Sequence, residues 1–181
     1  TVPIDVVHRV FQLAQQYSWH IQSYVDDHLL CHHKNWQSDH YEQQTGAVAE
    51  FLGDTIYTLS SEPNKLIAID TEEGIDRIID ILTPLVGNQV TLVRSQRDFL
   101  EITAPNVSKG RALAQLALDN NLSLENIVSF GNAENDISML SETGYSVAVS
   151  NATEHVKSVA NEVCGHHNED GVAHWIEKNL L

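Results

Sequence analysis

The sequence predicts an α/β protein in two parts: an α+β domain over residues 1–104, and a parallel-sheet segment over residues 105–181. Three observations predict it. Before residue 104, apolar alternation marks short strands grouped as hairpins around a few helices. At Ala104-Pro105 the pattern breaks. From Ser108 onward helix and strand alternate, and strands separated by helices imply right-handed crossovers and a parallel sheet.

In the first part, Pro3 stands where an opening helical turn tolerates proline. Val6, Val7, Val10, Phe11, Ala14 and Tyr17 then recur at helical spacing. Two strand-like runs, residues 19–25 and 29–33, meet through Asp26-Asp27 and predict a hairpin. Residues 37–63 are weakly patterned; a helix is expected near 42–52, then a loop marked by Gly, Asp, Ser and Pro. Lys65-Leu66-Ile67-Ala68-Ile69-Asp70 reads as a buried strand. Thr71 is placed to cap a helix whose stripe is Ile75, Ile78, Ile79 and Leu82. Strands over 89–94 and 99–103 close this part, giving a mostly antiparallel sheet.

In the second part a helix carries Leu113, Leu116, Ala117 and Leu118, followed by a strand over 127–130. A helix through Ile137 and Leu140 leads to a strand over 145–149. A helix from about Thr153, a short strand at Val163 and a helix with Val172, Trp175 and Ile176 complete the order. No internal repeat or low-complexity tract interrupts it.

Composition excludes several function classes. The chain has 181 residues and 42% hydrophobic content, enough for a real core. No apolar run nears the ~20 residues of a membrane span, and no basic leader precedes an apolar block. Net charge is −15. Residues 1–104 carry 15 acids and 6 bases, and residues 105–181 carry 10 and 4. Neither part offers a basic patch for a phosphate backbone, so no nucleic-acid partner and no membrane partner is expected. Cys31 and Cys164 have no Cys-x-x-Cys spacing, which fits free thiols in a reducing, cytoplasmic setting.

The chemistry concentrates in two motifs. Asn106-Val107-Ser108-Lys109-Gly110 puts a lone lysine at a helix start, beside N–H groups that can receive an anion. Gly131 closes a strand, and Asn132, Glu134, Asn135 and Asp136 follow at once. Ligands bind beyond the carboxyl ends of parallel strands, and clustered carboxylate and amide oxygens suit a hard cation such as Mg²⁺. Either motif alone equally describes a polar loop and a surface lysine.

Taken together and in order, the motifs resemble the haloacid-dehalogenase-like (HAD) phosphatases, specifically Cof-type sugar-phosphate phosphatases with an α/β cap. The matching segments are Phe99-Leu100-Glu101-Ile102, Ser108-Lys109-Gly110, Phe130-Gly131-Asn132-Ala133-Glu134-Asn135-Asp136-Ile137-Ser138-Met139-Leu140, Val147-Ala148-Val149, Asn151-Ala152 and Asn168-Glu169-Asp170-Gly171-Val172-Ala173. The likeness is detailed over 99–173 and loose before it, through elements such as Tyr24-Val25-Asp26-Asp27.

The resemblance implies a partial HAD-like Rossmannoid core in 105–181 and a substrate-choosing cap in 1–104. It implies hydrolysis of small phosphate esters, sugar phosphates foremost, through an aspartyl-phosphate with Mg²⁺. Lys109 would neutralise the phosphoryl charge as a catalytic and phosphate-binding residue. Asn132 and Asp136 would hold the metal, and Asn135 would hydrogen-bond within the site. Asn151 and Asn168 would support its entrance. The partner is then a small phosphorylated metabolite.

Two departures bear on this. The family's Asp-x-Asp nucleophile strand occurs nowhere in the 181 residues, and neither does its Ser/Thr phosphate-binding strand. Asn132 stands where the family usually has Asp. Unit charges 4 Å apart interact by roughly 4 kcal/mol at an effective dielectric near 20, so Mg²⁺ binding is expected to be weakened or lost. The chain reads as a cap plus half a core, inactive alone. It is expected to form a homodimer or to be completed by another chain, because an open sheet edge seeks a partner. A non-catalytic binding remnant and half of a split enzyme are the rival readings. Ile69-Asp70-Thr71-Glu72 imitates a nucleophile strand but falls in the cap's own strand–helix unit. His28, Cys31, His32 and His33 suggest zinc. Neighbours on a strand point to opposite faces, so His32 and His33 are read as exposed or cap-lining residues.

Overall fold

A computed structural model describes residues 1–181. It comprises two compact units, 1–106 and 107–181. The fold is α/β, with an α+β unit first and a parallel-sheet unit second.

The first unit is a six-stranded sheet. Its elements are α1 (Ile4–Tyr17), β1 (His20–Val25), β2 (His28–Cys31), α2 (Trp36–Thr45), β3 (Ala49–Phe51), β4 (Lys65–Ile69), α3 (Glu72–Val86), β5 (Thr91–Gln96) and β6 (Phe99–Thr103). Strand order is β3-β2-β1-β4-β6-β5. Every pair is antiparallel except β2 with β3. Alternate residues point to opposite faces, and two cores result. Ile21, Leu30, Leu66, Ala68, Leu100 and Ile102 join the apolar stripes of α1 and α3. Leu29, Cys31, Ile67, Ile69 and Phe99 pack with Tyr41 of α2.

The hairpin turns through Asp26 and Asp27 at φ 49° and 65°. Positive φ at both central residues matches the twist of the flanking strands, and aspartate tolerates it.

The strand expected over 89–94 is β5, two residues later, and three further elements depart from the sequence expectation. The helix expected near 42–52 is α2, starting at Trp36 and stopping at Gly46, which takes φ 72°. Its start is set by a reciprocal cap: Asn35 Oδ1 accepts from Ser38 N at 2.9 Å, and Ser38 Oγ accepts from Asn35 N at 3.0 Å. Residues 49–51 are a strand instead, aligned parallel to β2 from Leu29↔Ala49 to Cys31↔Phe51. The second hairpin strand ends at Cys31, so His32 and His33 lie beyond it.

The second unit contains α4 (Lys109–Asp119), β7 (Val128–Gly131), α5 (Ile137–Glu142), β8 (Tyr145–Val149), α6 (Glu154–Val159), β9 (Glu162–Cys164) and α7 (Gly171–Asn179). The sheet order is β7-β8-β9, all parallel. Leu140, Ala148, Val149, Ala152 and Val156 form its main core. Trp175 of α7 meets Phe130 edge-on at 5.3 Å and donates its indole N–H to Glu162 Oε2 at 3.0 Å. No helix is long and apolar enough to cross a membrane. Cys31 and Cys164 are free thiols, and burial pushes the Cys31 thiol up to about 12, which makes it a packing residue.

Candidate active site

Parallel registry fixes where the candidate residues go. Gly131 pairs with Ala148, and Val149 pairs with Cys164, so the carboxyl ends of β7, β8 and β9 share one edge. The segments leaving that edge carry Asn132 to Asp136, Asn151 and Asn168.

Asp136 is the centre of the arrangement. It is 3% exposed. Its Oδ2 accepts from the backbone N–H of Asn132 at 2.8 Å and of Ala133 at 3.1 Å. Its Oδ1 pairs with the Lys109 ammonium, 27 positions earlier in the chain. Burial, the largest single influence, pushes the Asp136 carboxyl up. Lys109 and the two N–H groups oppose it, and together they hold the carboxyl below its ordinary value. The result is a buried carboxylate that stays ionised at neutral pH, with a half-exposed cation beside it.

Local sequence builds this. Ser108 caps α4 by accepting from Arg111 N at 3.2 Å, which makes Lys109 the first helical residue. Gly110 lets α4 approach α5: a Cβ there would stand 2.5 Å from the Ser138 carbonyl oxygen. The Gly110 N–H donates to Ser138 Oγ at 3.1 Å. Gly131 is needed for a similar reason, since a Cβ would meet Asp136 Cβ at 2.7 Å and Leu140 Cδ1 at 2.9 Å. Both glycines serve close approach rather than an unusual backbone angle.

The other expected residues are placed as follows. Asn132 is exposed and Asn135 half-buried in the loop that wraps Asp136. Asn151 is turned to the loop after β9: its amide meets His167 Nδ1 at 2.8 Å, and its Oδ1 accepts from His167 N at 3.2 Å. Asn168 is exposed, with its backbone N–H donated to His166 Nδ1 at 3.1 Å. Lys109 and Asp136 are therefore joined directly, Asn132 touches Asp136 through its backbone, and Asn151 and Asn168 form a neighbouring polar group. In sequence reasoning Glu134 counted only among the clustered oxygens suited to a cation. It ties the loop to α6, accepting from Thr153 Oγ1 at 3.1 Å and pairing with His155 Nδ1 at 2.8 Å. The available signal was Thr153, a helix cap three residues before Val156.

The donor set can be tested against a cation. Asp136 offers one ionised carboxylate and Asn132 one exposed amide oxygen, both hard donors that suit Mg²⁺ with water completing the shell. No group of three or more His, Cys, Asp or Glu side chains converges on one ion. Asp136 and Asn132 are donors of the type Mg²⁺ takes, and an ion held there would need further oxygen ligands to complete its shell.

Comparison with known proteins gives the family. The family described as haloacid dehalogenase-like hydrolase matches residues 1–176. The phosphatase YwpJ of Bacillus subtilis (strain 168) is 42% identical over 95 residues, 52% of this chain and 33% of that protein. A chloroplastic Arabidopsis thaliana protein named endoribonuclease YBEY is 32% identical over 140 residues, 67% of this chain and 24% of that protein. The chain thus spans less than half the length of these two relatives. The crystal structure of TM0651 from Thermotoga maritima superposes with a TM-score of 0.81 at 31% identity, covering 99% of this chain and 68% of that one. A family match over residues 1–176, nearly the whole chain, makes this chain a member of the haloacid dehalogenase-like hydrolases.

Proposed function

We propose that Lys109, Asp136 and Asn132 are the lysine and metal half of a Mg²⁺-dependent phosphatase site acting on small phosphate esters, sugar phosphates in particular. The observation that carries this is the buried carboxylate kept ionised by a lysine at the carboxyl edge of a parallel sheet. Asp136 and the Asn132 amide would hold Mg²⁺, whose role when bound is to neutralise charge on the phosphoryl oxygens. Lys109 adds a second positive charge from the start of α4. Asn135 orients the phosphate, Asn151 and Asn168 keep the surrounding loops in place, and residues 1–104 act as the cap that sets substrate choice. The expected setting is cytoplasmic.

The 181 residues contain no Asp-x-Asp, so the nucleophile of this chemistry has to be supplied from outside them. We therefore infer that this chain alone is inactive or nearly so, and that Asn132 weakens the metal. β7 is an edge of the three-stranded sheet. This favours completion by another chain or a homodimer, and keeps a non-catalytic binding module as the second reading.

Two measurements test this on the chain as it stands. Vanadate or orthophosphate should bind in a Mg²⁺-dependent way, and Lys109→Ala should abolish it. Hydrolysis of p-nitrophenyl phosphate or a hexose phosphate should stay at background. Turnover that disappears in Lys109→Ala would show the inactivity claim to be wrong. Anion binding unchanged in Lys109→Ala would remove the phosphate site itself.

A further inference from the structure

The histidines after β2 are not arranged as strand alternation predicts. β2 stops at Cys31, and the chain bends through His32 and His33. Freed from the pleat, the two rings converge, with centroids 4.8 Å apart and Nδ1 atoms 2.5 Å apart. Their Nδ1 edges face each other.

The His32 tautomer follows from its other nitrogen. His32 Nε2 lies 2.8 Å from Asp54 Oδ1. A carboxylate only accepts, so Nε2 carries the hydrogen and Nδ1 carries the lone pair. This is the support that metal-binding imidazoles use: a carboxylate behind the ring fixes its orientation and raises its basicity. The partner segment is anchored to the bend by backbone bonds, Leu52 N to Cys31 O and Gly53 N to His32 O, both 2.9 Å. Tyr57 lies against the His32 ring at 5.0 Å. A cavity of about 280 Å³ opens beside both histidines, with Trp19, His20, Asn35 and Tyr57 among its walls. It has room for the water ligands of an ion.

We propose that His32 and His33 form a two-histidine site for a borderline transition-metal ion, Zn²⁺ or Ni²⁺, with Asp54 orienting His32 and water filling the remaining positions. In the metal-free state the His33 Nδ1–H donates to His32 Nδ1. On binding, His33 moves that hydrogen to Nε2 and turns its Nδ1 lone pair to the ion, so no net proton is released from the pair. Metal–nitrogen bonds of about 2.0–2.1 Å require the two nitrogens to separate to about 3 Å, a small ring rotation at an exposed bend. Imidazole nitrogen suits Zn²⁺ and Ni²⁺ and not Mg²⁺, so this site is chemically distinct from the Lys109–Asp136 site.

Two other histidine groups show what is special here. His20 shares the cavity, but both of its nitrogens are committed. Nδ1 accepts from the Asn35 amide at 2.9 Å, and Nε2 donates to Gln22 Oε1 at 3.3 Å. His166 and His167 are also adjacent, with centroids again 4.8 Å apart. Their Nδ1 atoms face Asn168 N and the Asn151 amide instead of each other.

Calorimetric titration of the 181-residue chain with Zn²⁺ in excess Mg²⁺ tests this. One equivalent should bind, be lost in both His32→Asn and His33→Asn, and persist in His167→Asn. Asp54→Asn should weaken it about tenfold. Asp54 has a 93% exposed side chain, so that variant leaves packing untouched. Ni²⁺ should broaden the ring protons of His32 and His33 before those of His166 and His167. Unchanged binding in His32→Asn and His33→Asn, loss in His167→Asn, or displacement by Mg²⁺ would each overturn the proposal and leave the phosphatase reading untouched.

Discussion

Asp70 and Asp136 each lie between a strand and a helix, yet they do different work. Asp70 stays local. Its Oδ1 accepts from the next residue's N–H, Thr71, at 2.7 Å, and its carboxylate lies against Gly74 at the start of α3. Thr71 completes that cap by accepting from Gly74 N at 3.1 Å. Asp136 reaches across the chain to Lys109 and is buried. The surroundings make the difference. β4, before Asp70, has antiparallel neighbours on both sides, β1 and β6. β7, before Asp136, lies in a parallel sheet, whose strand ends and helix starts gather on one edge. A strand–acid–helix sequence is thus a helix cap in one context and a charged site in the other. That is the physical reason the nucleophile-like run at Ile69-Asp70-Thr71 is structural.

The sharpest way to break this comparison is to remove each carboxylate. Asp136→Ala strands two backbone N–H groups and an ammonium. Lys109 is half-exposed and can rehydrate, so the expected loss is about 2–3 kcal/mol rather than the full cost of a buried pair. Asp70→Ala removes part of a helix cap and should cost about 1 kcal/mol. Urea denaturation of both variants measures the gap. Equal losses would mean that Asp136 is only another cap.

A second contrast uses the glycines beside the two sites. Gly110→Ala drives a Cβ into the Ser138 backbone oxygen, which cannot rotate away, and should cost about 1–3 kcal/mol. Gly74→Ala meets the Asp70 side chain first. That carboxylate can swing out, and alanine is the better helix former by about 1 kcal/mol, so the net change should be near zero. Thermal melts of the two variants suffice, and a Gly74→Ala loss as large as that of Gly110→Ala would show Asp70 to be held as rigidly as backbone.

These sites differ in how far they were legible in the sequence. The order of elements was readable wherever apolar spacing was strong, as in α1, α3 and β6. Lys109 and Asp136 were readable because each sits in a run whose residue types and order are specific. What the sequence concealed depended on contacts between distant positions or on single boundary residues. α2 begins with an Asn35–Ser38 exchange, which carries no Glu to announce it. β3 has three residues, too few to show alternation, and is held by pairing with β2. His32 and His33 changed meaning because the strand stopped one residue before them. Glu134 acquired a role only when α6 brought Thr153 and His155 beside it.

Acid titration sharpens the comparison by the smallest margin, through a single group. Asp136 has its folded value below the ordinary 3.8, for the reasons of charge and hydrogen bonding already given. A depressed carboxyl contributes stability that is fully present above the unfolded value and is lost as pH falls through the folded one. Stability measured between pH 7 and pH 2 should therefore fall below about pH 4 in the native chain by more than in Asp136→Asn, since the variant has no proton to take up there. If Asp136→Asn keeps the full native acid limb, the charge at Asp136 is not held by Lys109, and the lysine is free to leave the site before any phosphate arrives.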